Sequence, residues 1–181
     1  MNLVILDRDG VINYESDVYI KSPEEWVPIP GSLEAIARLN RGGFTIVVAT
    51  NQAGVGRGLF NLTLLETIHR KMTGAVNAAG GRLDGIFACP HHPDEHCDCR
   101  KPKTGLFKQI AGRFHTDLQG VPVIGDSLKD IEVAENISAR PILVRTGYGE
   151  KTWQSLADKS RVEVFADLAA AAAHLLEETR P

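Results

Sequence analysis

Cysteine is scarce: the chain of 181 residues has three, all between Cys89 and Cys99. An odd number in one short stretch does not make a disulfide framework, which spreads paired cysteines along a chain. Metal-bound thiolates in a reducing compartment fit better, and the cytoplasm is the expected location. An excess of either charge is also missing. The net formal charge is −3, so no global field draws the chain to nucleic acid or to an anionic membrane. No apolar run approaches the roughly 20 residues that cross a bilayer. The opening MNLVILDRDG has neither a basic segment nor a small-residue cleavage site, so no signal peptide is expected. No internal repeat occurs. The glycines of GVGRG (54–58) run G-x-G-x-G, which is not the G-x-G-x-x-G spacing of a dinucleotide fingerprint.

What remains is one domain, 1–181, with enough apolar residues for a sizeable core. Apolar runs at 3–6, 44–50, 85–89, 121–125 and 141–146 read as strands, with 162–165 as a sixth. They are continuous rather than alternating, which marks a sheet buried on both faces. Helical patterns lie between them. Ser32 is placed to cap the first, with Gly42 to end it. Thr63 and Glu66 have capping-box spacing for the second. Thr104, Ser127 and Asp167 open three more. The alternation predicts an α/β doubly wound fold, a mostly parallel sheet with helices on both faces. About 35 residues separate Thr50 from the third strand, and a helix fills most of them. A large cap domain is therefore not expected.

Ligands of such sheets bind beyond the C-terminal strand ends. Asp7-Arg8-Asp9-Gly10 ends the first strand, Thr50-Asn51-Gln52 the second, and Gly125-Asp126 the fourth, with Asp130 four residues on. Lys101 lies between the third and fourth. Clustered carboxylates need a cation, and hard oxygen ligands suit Mg²⁺. An ionised carboxylate held there can attack phosphorus, a second can move the proton, and a lysine can neutralise phosphoryl oxygens. In isolation each residue has a plainer reading. Asp-Gly is ordinary turn chemistry, and Asp126 and Asp130 can cap a helix. Their order along the chain argues for the chemical reading.

A second cluster is Cys89-x-His91 followed by Cys97-x-Cys99, in a loop (89–99) inserted between the third strand and the next helix. Three thiolates and one imidazole make a closed tetrahedral Zn²⁺ set, with no open position at which to activate water. By spacing alone, His91, His92 and His96 are all candidates for the fourth ligand. His69, His115 and His174 read as solvated, and Trp26 and Trp153 as packing or rim residues.

DRDGVIN, TNQAGVGRG, the Cys/His loop and CRKPKTG occur in order. Together they resemble the haloacid dehalogenase (HAD) superfamily. Within it they are similar to the heptose bisphosphate phosphatases and their relatives, the histidinol-phosphate phosphatases. The resemblance implies Mg²⁺-dependent hydrolysis of a sugar 7-phosphate on the route to ADP-heptose for lipopolysaccharide. Histidinol-phosphate hydrolysis is the alternative, and a 3′-phosphatase of nucleic-acid ends a more distant one. It implies Asp7 as nucleophile and Asp9 as general acid/base. Mg²⁺ falls to Asp7, the Asp9 backbone carbonyl and Asp126, with Asp130 as an outer partner. Thr50 and Lys101 are implied at the phosphoryl group. Glu15, Tyr19, Asn51, Gln52 and Arg100 are implied as substrate contacts, and His91 as the fourth zinc ligand. Arg57 is either a distal-phosphate contact or a turn residue. Relatives often carry a basic residue where this chain has Ser127. A small phosphorylated sugar is the expected partner, with no nucleic acid or membrane, and the chain is expected to be a monomer.

Overall fold

Six parallel strands form one sheet among the described residues, 2–179, of the computed structural model. They are β1 (Asn2–Leu6), β2 (Phe44–Asn51), β3 (Gly85–Cys89), β4 (Pro122–Gly125), β5 (Arg140–Val144) and β6 (Glu163–Phe165). Spatial order is β3-β2-β1-β4-β5-β6. The chain winds outward from β1 to β3, then returns to lay β4 against the other edge of β1. That reversal is the switch point at which α/β sheets open a crevice.

The helices are α1 (Ser32–Arg41), α2 (Ala53–Gly56), α3 (Leu62–Ala78), α4 (Gly105–Phe114), α5 (Leu128–Asn136), α6 (Gly149–Ser155) and α7 (Leu168–Glu178). Alternate strand residues face opposite ways. Val4, Leu6, Ile46 and Val48 pack under α1, α3 and α7, against Ile36, Leu39, Ile68, Met72 and Leu175. Leu3, Ile5, Val47 and Ala49 pack on the other face, against Leu106, Phe107 and Ile110 of α4 and Val133 of α5. Both faces are therefore covered, as the continuous apolar strands require. The β2–β3 connection is taken up by α2 and α3, which leaves no room there for a cap domain.

Local capping differs from expectation in two places. Gly31, not Ser32, is the N-cap of α1, and the Ser32 hydroxyl instead donates 2.9 Å to the Val11 carbonyl. Asn61, not Thr63, caps α3, its side chain accepting from the Leu64 N–H. In both cases the helix begins one or two residues earlier, where the chain already turns. The Thr104, Ser127 and Asp167 positions are N-caps, and Ser127 with Asp130 forms a capping box. Helix α6 has no counterpart in the sequence reading, because its seven residues carry no regular apolar stripe.

His174 is not simply solvated. Its ring packs on Phe165, and its Nε2 lies 3.2 Å from a Glu163 oxygen. Arg140 bridges Glu163 and Glu178 from the next strand over. Hydrogen bonds from Arg140 hold both glutamates below the ordinary carboxylate value. A depressed carboxylate contributes stability above its unfolded value and loses it as pH falls through the folded one. Arg140→Gln should cost about 1 kcal/mol at pH 7, a surface network's usual worth. The gap to the parent protein should close on acidification below the glutamate value of 4.5. Thermal melts at pH 7 and pH 3 test this, and an equal gap at both would refute it.

Candidate active site

Asp7 is the first residue past β1, and its N–H donates 2.8 Å to Ile124 O on β4. This bond spans the switch point and sets the two strand ends side by side. Asp126 follows β4 directly. Its Oδ2 accepts from Tyr148 N at 2.8 Å, and its carbonyl from the Thr152 hydroxyl of α6 at 2.8 Å. Gly10 and Gly147 flank this carboxylate, both at positive φ, and a Cβ on either would lie 2.0 or 2.1 Å from Asp126 Oδ2. Glycine is needed at both for the turn and for the close approach.

Lys101 Nζ is buried among three acceptors: Ala49 O at 2.8 Å, Asp130 Oδ1 at 2.6 Å and Asp7 Oδ1 at 3.0 Å. Burial alone would lower its pKa, but Asp130 and Asp7 outweigh that and hold it above its ordinary value. Its backbone is clamped by Asn51, which accepts from Lys101 N at 3.0 Å and donates to Lys101 O at 3.1 Å. Asp130 also accepts from the Ser127 hydroxyl at 2.6 Å and the Ser127 N–H at 3.1 Å. It therefore both caps α5 and orients the lysine.

These groups border a cavity of about 270 Å³. Asp7, Asp9, Glu15, Tyr19, Asn51, Gln52, Arg100, Lys101 and Asp126 all line it. Tyr19 sits there at φ +67°, rare for a residue with a Cβ. Arg100 is half-buried, and among the described residues its Nη1 has no hydrogen-bond partner. Two of the expected residues do not border the cavity. Thr50 is buried next to it, its hydroxyl accepting 2.9 Å from Gln52 Nε2, the amide that also donates to Asp9. Arg57 is exposed at the end of α2 and does not border the cavity.

The cavity also has residues that the sequence reading passed over. Ser16, Asp17, Lys129 and Tyr148 line it. The Tyr148 hydroxyl donates to Asp17 Oδ1, joining the loop after β5 to the loop after β1. Arg8 is wholly buried and binds both Asp9 oxygens. Its place between two aspartates was the only available signal. His69, read as solvated, is instead packed against Arg8. Burial first, then the Arg8 charge, pull its pKa down to about 4.

The donor set suits a hard divalent cation. Asp7, Asp126 and Asp130 each present an oxygen within 4.8 Å of the others. Burial, with the neighbouring acids, pushes Asp7 up to about 7 and Asp126 up to about 9, Lys101 partly offsetting the rise on Asp7. Burial also raises Glu15 to about 7, with Asp9 adding to it. Carboxylates crowded in this way keep their charge when a cation sits between them.

The second cluster joins Cys89, His91, Cys97 and Cys99, with donor atoms all within 4.8 Å. The Cys89–Cys97 and Cys97–Cys99 sulfurs are 3.6 and 3.5 Å apart, and His91 Nδ1 is 3.6 Å from Cys89 Sγ and 3.1 Å from Cys99 Sγ. Four ligands at the Zn–S distance of about 2.3 Å stand about 3.8 Å apart in a tetrahedron, so the residues fit zinc. His92 instead caps a 3-10 turn, Pro93–Glu95, and His96 is exposed in a left-handed conformation.

Fold, carboxylate crevice and buried lysine define a phosphatase core of the HAD-like type. A HAD-hydrolase-like family profile matches residues 98–171, and a polynucleotide kinase 3 phosphatase profile, which this chain fits over most of its length, matches 3–132. The D-glycero-β-D-manno-heptose-1,7-bisphosphate 7-phosphatase of Bordetella bronchiseptica is 51% identical, covering 98% of this chain and 99% of the relative. The phosphatase of that name from Pseudomonas putida is also 51% identical, covering 97% of this chain and 100% of its own. The crystal structure of the D,D-heptose 1,7-bisphosphate phosphatase from B. bronchiseptica, complexed with magnesium and phosphate, superposes with a TM-score of 0.96. It is 50% identical, covering 99% of this chain and 100% of that one. The chain belongs to the family of the D-glycero-β-D-manno-heptose-1,7-bisphosphate 7-phosphatases.

Proposed function

We propose that this chain hydrolyses the 7-phosphate of D-glycero-β-D-manno-heptose 1,7-bisphosphate through an aspartyl-phosphate on Asp7. One observation carries the reading: Asp7, Asp126 and Lys101 meet in a strand-end cavity of a chain half identical to phosphatases of that name. An Asp7 oxygen attacks phosphorus, and the bond from phosphorus to the C7 oxygen breaks. Asp9 gives that oxygen its proton. Asp9 then takes a proton from the water that attacks the aspartyl-phosphate, releasing phosphate and restoring Asp7. When bound, Mg²⁺ on Asp7, the Asp9 backbone carbonyl and Asp126 supplies positive charge opposite the phosphoryl oxygens. Lys101 stands against the same oxygens, and Thr50 holds the Gln52 amide that also donates to Asp9. Arg100 offers its unpartnered nitrogen to a phosphate, while Glu15, Tyr19 and Asp17 face the sugar hydroxyls.

Zinc on Cys89, His91, Cys97 and Cys99 has a structural role, holding the backbone just ahead of Arg100. The chain acts as one phosphatase domain and as a monomer, in a compartment reducing enough to keep its thiolates. Among the described residues no helix is long and apolar enough to cross a membrane.

Glu15 and Asp17 at the cavity wall would repel the flanking phosphates of a polynucleotide. Phosphate release with Mg²⁺ should favour the heptose bisphosphate over histidinol phosphate and a 3′-phosphorylated oligonucleotide, by at least about 100-fold in kcat/KM. Equal or better turnover of either competitor would overturn the substrate assignment.

A further inference from the structure

We propose that His69 is a positioning residue for the reaction, acting through Arg8 to hold the Asp9 carboxylate in place. Arg8 stands between the two aspartates of the first motif with no exposed surface. Its Nε donates 2.9 Å to Asp9 Oδ1 and its Nη2 donates 3.0 Å to Asp9 Oδ2. This two-point grip fixes the plane of the carboxylate as well as its distance. Gln52 Nε2 and Asn13 Nδ2 add bonds of 2.9 and 2.8 Å to the two oxygens; when Asp9 carries the proton, one of these amide bonds gives way and the two-point arginine grip remains. Arg8 Nη2 also donates 3.1 Å to Gln52 Oε1, so guanidinium, amide and carboxylate form one closed ring of contacts.

A guanidinium has five N–H groups and no acceptor, and a buried one needs a partner on every side. The side away from Asp9 is met by His69 of α3, whose Nε2 lies 3.3 Å from Arg8 Nη1. Since arginine can only donate, His69 Nε2 holds the lone pair and the ring proton is on Nδ1. The ring is therefore neutral, which agrees with the downward shift that burial and Arg8 impose on it. The contact joins residues 61 positions apart. It pins the far end of Arg8 to a helix packed on the sheet, so the near end cannot swing away from Asp9. His69 does not border the cavity, so it acts only through this chain of contacts.

The inference rests on reading Asp9 as the proton donor, and the test separates the two. The value of kcat/KM reports steps up to loss of the leaving group, where a sugar alkoxide needs a proton and p-nitrophenolate does not. Asp9→Asn should lower kcat/KM on the heptose bisphosphate by about 10²- to 10⁴-fold, and on p-nitrophenyl phosphate by less than about threefold. His69→Leu should follow the same pattern with a smaller loss, about 10-fold on the bisphosphate only. His69→Gln, whose amide oxygen can reach Arg8, should restore most of it. If His69→Leu does not fold, His69→Asn, with an amide that stops short of Arg8, takes its place. Equal losses on the two substrates, no loss, or no rescue by glutamine would overturn the positioning role. An Asp9→Asn loss that is equal on both substrates would remove the premise instead.

Discussion

Asp7→Asn should fold normally and lose phosphate release by about 10⁴-fold or more, the scale seen when a nucleophile is removed. The amide has nearly the shape of the carboxylate but no charge to attack phosphorus. Its oxygen can still accept the 2.7 Å bond from Arg8 N. Lys101 keeps two partners, Ala49 O and Asp130. The substitution should not cost stability in metal-free protein. Burial and the nearby acids push Asp7 up to about 7 despite Lys101, so an ionised carboxylate there is unfavourable without a cation. A melt without Mg²⁺ should place the variant at or above the parent, and the rise on adding Mg²⁺ should shrink or vanish. Such a site gives up stability for activity. Residual turnover within about 100-fold of the parent, against the loss expected for a nucleophile, would sink the assignment of Asp7.

Cys99→Ser should lose zinc, stability and turnover together. Cys99 closes a four-ligand set, and Arg100 and Lys101 are the next two residues. The segment is fixed from both ends. Lys103 Nζ donates 2.8 Å to the carbonyls of His96 and Cys97, Gly105 N donates 2.9 Å to Asp98 O, and Asn51 grips Lys101. Without the metal, two thiols, a hydroxyl and an imidazole have no bond to hold them 3 to 4 Å apart. Metal loss belongs with the most damaging single changes. At about 2–4 °C per kcal/mol for a chain of this size, the melting point should fall by at least about 5 °C. Displacement of Arg100 and Lys101 should lower kcat/KM by about 10- to 100-fold, the cost of an ångström-scale misplacement. Metal analysis, melting and turnover on one preparation test this. Zinc lost with melting and turnover unchanged would refute the supporting role.

Some of the molecule was legible from pattern alone. The strands are apolar enough to be seen without partners, and their continuity announced a sheet covered on both faces. The Cys/His loop was conspicuous for a similar reason, since few other arrangements account for those residues so close together. Helix ends were less legible. Ser32 and Thr63 have the chemistry of caps, yet Gly31 and Asn61 do the work, because a cap depends on where the incoming chain turns. Helix α6 was missed, although its Thr152 anchors the Asp126 backbone.

The active-site roles divide in the same way. Which groups are present, and in what order, can be read along the chain: two aspartates after the first strand, a third after the fourth, a lysine behind the thiolates. What each of them touches follows from the folded arrangement. It tied Thr50 to Gln52, left Arg57 outside the cavity, brought in Tyr148 and Asp17, and set His69 behind Arg8. The physical reason is range. Strands, turns and metal spacings follow from neighbours within a few residues. The contacts Lys101–Asp7, Arg8–Gln52 and Arg8–His69 join residues far apart in the chain, and exist only once the sheet has closed around them.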